Sequence, residues 1–426
     1  MAPSLKSRGR LPQITGRPHF LEEDRKMVSQ KRERGLLLLS IVITIAAVIF
    51  ASSSGEAAGR KLTFITLHSF NGKDGKWPDA LLRDRKGNLY GNTYGGSVFD
   101  AGTVFKLTPS GDLIILHSFN EKNGFPDALL MDSQDNLYGT TEGSGTHYGT
   151  IFRISQDGAF TTLFRFTGSM GEPISLLIDE KGNFYGTTKA GSARNDGTVF
   201  KLYPNGTLTT IHSFDGKDGC LPCSLLIPYH GNLYGATEFG GKIGDEHWCG
   251  TGFKLAPNGM LTILHKFNLR TDGGRPRILL IDNKGNLYGT TLAGGAYWSG
   301  TIFKLTPNGI FHILHIFHGK DSASPDTLVI DGQGNLYGTT LGGEAHDNGT
   351  VFKLTSTGTF TTLHSFNGKD GARPYALIMD RHGNLYGVTY RGGANNDGTI
   401  FEIKGAASPS KQTPEQTTSE PPVSPS

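Results

Sequence analysis

One tetrapeptide organises this chain. Asn-Leu-Tyr-Gly, once with Phe for Leu, begins at Asn88, Asn136, Asn183, Asn232, Asn286, Asn335 and Asn384, at spacings of 48, 47, 49, 54, 49 and 49 residues. A second marker, Gly-Thr-(Val/Ile/Gly)-Phe, begins at Gly102, Gly149, Gly197, Gly250, Gly300, Gly349 and Gly398. A third, (Leu/Ile)-His-x-Phe, places His68, His117, His212, His265, His315 and His364, with Phe164 in the odd copy. Seven units of one length cannot be independent domains. Each must bury an apolar face against its neighbours, so the chain folds as a stack or a closed ring.

One period resolves into four strands. In the copy at 278–317 the apolar segments are 278–282, 286–291, 300–306 and 310–317. They are rich in β-branched and aromatic residues, as strands should be. Asn283-Lys-Gly285 and Pro307-Asn-Gly309 are hairpin turns, in which glycine takes the left-handed position. Glycine supplies 60 of the 426 residues, which suits many tight turns and argues against helices, where each would cost roughly 1 kcal/mol. Four strands per period point to a β-propeller. The array opens at 62–70 with a lone fourth strand and ends at 398–404 with a third strand that lacks its fourth. The sequence therefore predicts an all-β, seven-bladed β-propeller closed by pairing of the N-terminal strand 62–70 with the C-terminal strand 398–404.

The full period, P-x-A-L-L-x-D-x-x-G-N-L-Y-G-T-T-x-x-G-G followed by G-T-V-F-K-L-T-P-x-G-x-L-T-x-L-H-S-F, resembles the bacterial GloVer tandem repeat over 62–404. That resemblance implies an extracytoplasmic protein behind one of several surface anchors, with no established activity. The D-x-x-G-N-L-Y hairpin is also similar to the NHL group of propellers, which are mostly interaction platforms.

The ends differ from the body. Residues 1–35 are basic, and 36–51 form an uncharged apolar run that suits either a signal-peptide core or a short signal anchor within 36–53. Positive charge before that run directs the rest of the chain outward. Met27 opens an ordinary signal peptide, so translation starting there is the alternative to an anchor beginning at Met1. Residues 54–61 form a linker, and 405–426 a Pro/Ser/Thr-rich tail expected to be disordered. Residues 1–34 hold nine Lys/Arg and four acids, which leaves 32 basic and 34 acidic residues in the remainder. A body near −2 lacks the basic stripe of a nucleic-acid binder, so the expected partners are a glycan or protein outside the cytoplasm and the membrane through 36–53.

Residues present in every copy fill equivalent packing positions, and those that break the symmetry are the functional candidates. The repeated tyrosines and histidines read as scaffold, because histidines spread one per blade cannot converge on one ion. The irregular loops, between second and third strands and between blades, share one face. There Tyr148, Trp248, Tyr297 and Trp298 can stack on sugar rings or peptide side chains, and Asp245, Glu246 and His247 form the densest polar cluster. All three cysteines belong to one copy, and a disulfide from Cys249 to Cys220 or Cys223 is preferred to a zinc site that adds His247. The Asn-Gly-Lys-Asp-Gly turns supply one carboxylate each, which suits local bracing better than calcium. No metal or cofactor is expected, and no nucleophile or phosphate-loop motif occurs. The leading expectation is an exported or tethered binding module acting through the irregular face. A hydrolase or lyase at that face or in the channel is second, and a structural envelope protein third.

Overall fold

The computed structural model describes residues 61–408, apart from 121, 144–147, 169–170, 192–193, 224–226, 242–248, 320–322 and 343–346. The segments expected at 1–35 and 36–53, most of the linker, and the tail from 409 lie outside the described residues. Among those described, no helix is long and apolar enough to cross a membrane.

Seven antiparallel sheets follow one another in sequence. Blade one comprises Lys76–Arg83, Leu89–Gly95, Thr103–Leu107 and Leu113–Ser118. The first strands of blades two to seven are Phe125–Met131, Pro173–Ile178, the segments Cys220–Pro222 and Ile227–Tyr229, Gly274–Ile281, Ala323–Ile330 and Ala372–Met379. First strands touch those of adjacent blades, so they surround the axis and line the central channel. The ring closes as predicted. Thr63–Ser69 pairs antiparallel with Thr399–Lys404, in register from Thr63 opposite Lys404 to Ser69 opposite Thr399, and completes blade seven. Phe64 on this strand stacks on His364 at 3.7 Å, which ties the closing strand to blade six.

The repeated residues build the scaffold. A buried threonine pair joins the second and third strands of every blade, as at Thr93 and Thr103, whose hydroxyl oxygens are 2.9 Å apart. The phenylalanines of both Phe markers are buried between blades, Phe70 and Phe105 among them. In six blades the first turn is clasped by its aspartate. Asp331 Oδ1 accepts the N–H groups of Gln333 and Asn335 at 2.9 Å, while Oδ2 accepts Asn335 Nδ2 at 2.8 Å and the Tyr337 hydroxyl at 3.1 Å. Blade four has Tyr229-His230 in place of this clasp, and its first strand is described at Cys220–Pro222 and Ile227–Tyr229. The histidines are structural too. His68, His212, His265 and His364 each bond an aspartate of the following turn through Nε2, at 2.6–3.0 Å. Asp74 and Asp370 of the two Asn-Gly-Lys-Asp-Gly turns, and Asp218 of the Asp-Gly-Lys-Asp-Gly turn, are committed to these clasps.

Two boundaries differ from the sequence reading. Ordered packing runs past 404, because Ala406 and Ala407 are buried and the Ala406 carbonyl accepts the Tyr337 hydroxyl at 3.2 Å. First strands also begin earlier than their apolar runs. Gly274–Ile281 includes Pro276, where the sequence placed the strand at 278–282. Proline lacks a ladder donor, yet an innermost edge strand tolerates it, and here each ring packs against the third-strand glycine of the preceding blade, as Pro276 does on Gly250.

Candidate functional site

That early start creates the site. Each first strand carries a proline, and the residue after it is Asp79, Asp127, Ile174, Cys223, Arg277, Asp326 or Tyr375 in blades one to seven. In blades one, two, six and seven the ladder register shifts there, between Pro78 and Leu81, Pro126 and Leu129, Pro325 and Leu328, and Pro374 and Leu377. A bulge of this kind releases a residue from pairing and re-aims its side chain. The result is a ring of non-repeating side chains around the channel.

The ring is dominated by carboxyl groups. The side chains of Asp79 and Asp127, on adjacent blades, act on each other's ionisation. Like charges brought near one another oppose each other's ionisation, so each carboxyl favours the protonated form of the other. Burial pushes Asp79 up to about 7, the charge of Asp326 adds to this and Arg277 opposes it. Burial, then the Asp79 charge, raises Asp127 well above the ordinary carboxyl range. Both carboxyls keep some surface toward the lumen although protein encloses them. Asp326 has only 1% of its side chain exposed, and its Oδ1 lies 2.8 Å from Arg277 Nη1. That contact is an ion pair without hydrogen-bond alignment, and neither Asp326 oxygen accepts a hydrogen bond. Burial raises Asp326 against the pull of Arg277. Arg277 lies over the Tyr375 ring at 6.0 Å, and although that guanidinium favours the phenolate, burial, Asp79 and Asp326 outweigh it and keep the hydroxyl protonated.

A second ring forms the rim, where the residue before each proline meets the end of the preceding blade's second strand. Trp77 stacks on Tyr390 at 5.9 Å between ring centroids, and Phe125 on Tyr94 at 5.2 Å. The Tyr94 hydroxyl donates to Glu142 at 3.1 Å, and Glu142 pairs in turn with Lys189. Arg275 pairs with Glu238. Six rim residues, Trp77, Glu172, Leu221, Arg275, Ser324 and Arg373, hold φ between 53° and 62°. L-residues adopt this left-handed backbone at a cost of roughly 1–2 kcal/mol each, and such outliers gather at functional sites.

The rim opens on the irregular face, where the sequence placed its candidates. Tyr148, Tyr297 and Trp298 are there and are 42%, 61% and 57% exposed. Their contacts are local. Tyr297 meets His318 edge-on at 5.8 Å, and the Tyr148 carbonyl accepts the Glu172 N–H at 2.7 Å. Asp245, Glu246, His247 and Trp248 lie outside the described residues. The structure forms neither expected bridge to Cys249. Cys249 is buried in an apolar cluster with Phe267 and Leu287, whereas the Cys223 thiol faces the Pro276 carbonyl at 3.4 Å in the channel wall. Burial pushes the Cys220 thiol up to about 11 and the Cys223 thiol up to about 12. Among the described residues no group of three or more His, Cys, Asp or Glu could hold a metal ion.

The family profile for the Gloeobacter/Verrucomicrobia repeat matches this chain three times, over residues 54–247, 149–332 and 231–412. No curated protein matches it in sequence. Among solved structures, a catalytically inactive variant of virginiamycin B lyase from Staphylococcus aureus, with quinupristin, is similar at a TM-score of 0.60 and 14% identity, over 80% of this chain and 99% of that one. The extracellular domain of a protein described as a hybrid two-component system, BT4673 of B. thetaiotaomicron, is similar at a TM-score of 0.55 and 13% identity, over 80% of this chain and 40% of that one. At such identities the likeness is one of fold.

Proposed function

From the premise that this chain belongs to the Gloeobacter/Verrucomicrobia repeat family and closes as a seven-bladed propeller, we propose that its channel is an acid–base site for a saccharide, in a protein exported or tethered outside the cytoplasm. The observation that supports this most is the pair Asp79 and Asp127, each of which favours the protonated form of the other. Structural carboxylates in this molecule are satisfied by donors, whereas this pair is held near neutrality where a proton can be given or taken. In a hydrolysis, Asp127 gives its proton to the leaving oxygen as the C–O bond breaks. Asp79 takes a proton from the attacking water, whose oxygen bonds to the carbon. In a lyase reaction Asp79 takes the proton from carbon instead. Because each acts on the other's ionisation, Asp79 and Asp127 work as one acid–base unit, and Asp326 is the separate carboxyl.

The stacked walls Trp77–Tyr390 and Tyr94–Phe125 support a second reading, a module that binds a sugar without changing it. The extracytoplasmic address rests on the basic segment before the apolar run at 36–51. One experiment separates the readings. The protein is mixed with a panel of cell-wall and plant polysaccharides, and retention and new reducing or unsaturated ends are read from the same tubes. New ends support the enzyme, and retention alone supports the binding module. Neither would overturn a saccharide ligand.

A further inference from the structure

One position in the second strand separates blade one from the others. The residue after Asn-(Leu/Phe)-Tyr-Gly is Thr140, Thr187, Thr290 and Thr339 in blades two, three, five and six, Ala236 in blade four and Val388 in blade seven. Blade one has Asn92 there, and it is fully buried. Its Oδ1 accepts the Ala80 N–H at 3.0 Å, and its Nδ2 donates to the carbonyls of Pro126 and Asp127 at 3.1 and 2.9 Å. The Ala80 N–H belongs to the peptide that follows Asp79, and the two carbonyls bracket Asp127. One buried amide therefore holds the backbone that carries both channel carboxyls.

Both stretches of backbone are irregular, because the ladder shifts between Pro78 and Leu81 and between Pro126 and Leu129. A bulge releases backbone groups from the ladder, and buried groups so released need another partner. Asn92 is that partner on both strands at once. Ring closure does not itself demand such a tie. Ala236 and Val388 have no side-chain donor or acceptor, and Thr140, Thr187 and Thr339 bond within their own blades. Among the described residues, the other side chain at this position that crosses to the next blade is Thr290, whose hydroxyl donates to the Asp326 carbonyl at 3.3 Å. Both crossings end on the backbone of a channel aspartate.

From this geometry we infer that Asn92 is a positioning residue, which sets the spacing of Asp79 and Asp127 by clamping blade one to blade two. Its effect on turnover rests on the acid–base reading above, whereas the clamp itself acts on the two carboxyls whatever the substrate. Neighbouring charges act on the pair as well: Asp326, Arg277 and Glu142 on Asp79, and Glu142 and Lys189 on Asp127. Asn92 bonds none of these side chains, so a change at Asn92 reaches the carboxyls through the backbone.

The test places the threonine of four other blades at this position in the full-length chain. Asn92→Thr keeps an acceptor for the Ala80 N–H, as Thr140 does for Ala128 at 3.1 Å, and gives up the two bonds to blade two. Infrared difference spectroscopy titrates the carboxyls, with Asp79→Asn and Asp127→Asn to assign the bands. In the parent, Asp79 should titrate near pH 7. In Asn92→Thr that midpoint should fall by at least one pH unit, because the carboxyls separate and water reaches them. Thr187→Val, at the same buried position of blade three, should leave it unmoved. An unmoved midpoint in folded Asn92→Thr would overturn the clamp, and Asn92→Ser takes its place if that variant does not fold. On a polysaccharide that the parent cleaves, Asn92→Thr should lower kcat at least tenfold with KM kept within twofold, and an unchanged kcat would overturn the positioning role. A parent that releases no ends removes the acid–base reading, and the titration still decides the clamp.

Discussion

Aspartates at the two ends of the same strands live in opposite worlds. At the outer end of the first strand, Asp331 receives four hydrogen bonds from Gln333, Asn335 and Tyr337. At equivalent positions the donors around Asp179 and Asp282 hold those carboxyls below the ordinary range, despite burial that acts the other way. In the channel, Asp326 on the same strand as Asp331 receives none, and Asp79 is raised to about 7. The first group recurs in six blades and stabilises the fold. The second occurs in three blades and costs stability. A residue that costs stability, in a channel lined by strained backbone, is a candidate for function rather than packing.

The largest expected effect tests the scaffold as a closed ring. Deleting residues 63–69 leaves Thr399–Lys404 an unpaired edge and removes the Phe64 stack on His364. The cooperative unfolding transition should be lost, and differential scanning calorimetry reads this directly. Asp331→Ala should lower stability by about 3 kcal/mol in denaturant unfolding, because buried Asn335 and Tyr337 lose their acceptor. Gly338→Ala should cost about 2 kcal/mol by overpacking, since a Cβ there would stand 2.4 Å from the Thr327 carbonyl oxygen and 2.5 Å from the Phe352 ring.

Asp79→Asn should act with the opposite sign. Raised in the folded state and ordinary in the unfolded chain, Asp79 favours folding less as pH climbs from about 4 to about 7. The asparagine variant should therefore match the parent at pH 4 and exceed it at pH 8, by on the order of a few kcal/mol. Thermal melts at the two pH values check it. A variant less stable at pH 8 would make the pair a structural clasp and erase the contrast. The smallest effect belongs to Trp298→Ala, which should shift stability by less than about 0.5 kcal/mol because the indole is 57% exposed.

Most of the fold was legible in the sequence because repetition reports packing. Seven Asn-(Leu/Phe)-Tyr-Gly copies fixed the blade count, and the complementary ends at 62–70 and 398–404 located the closure. The site was hidden by the same logic. The rule that non-repeating residues are the functional candidates points first to the long loops, where variation is conspicuous. The single variable position after each proline, Asp79, Asp127, Ile174, Cys223, Arg277, Asp326 and Tyr375, carried the signal. An apolar run such as 278–282 gives no sign of it, because the strand starts earlier, and on an innermost edge the proline lies within the strand and precedes a bulge. The disulfide expectation failed for a related reason. Cysteines in neighbouring loop sequences were assumed to share a surface, yet Cys249 turns into the interblade core and Cys223 toward the channel.

The central claim is that chemistry belongs to the channel and not to the loop aromatics. Its most direct test compares two double variants, Asp79→Asn with Asp127→Asn, and Tyr297→Ala with Trp298→Ala, against the parent in the polysaccharide assay of retained sugar and released ends. The account predicts that the channel variant folds but loses release and at least tenfold in retention, while the loop variant keeps both within twofold. The reverse pattern, with activity intact in the channel variant and lost in the loop variant, would contradict it.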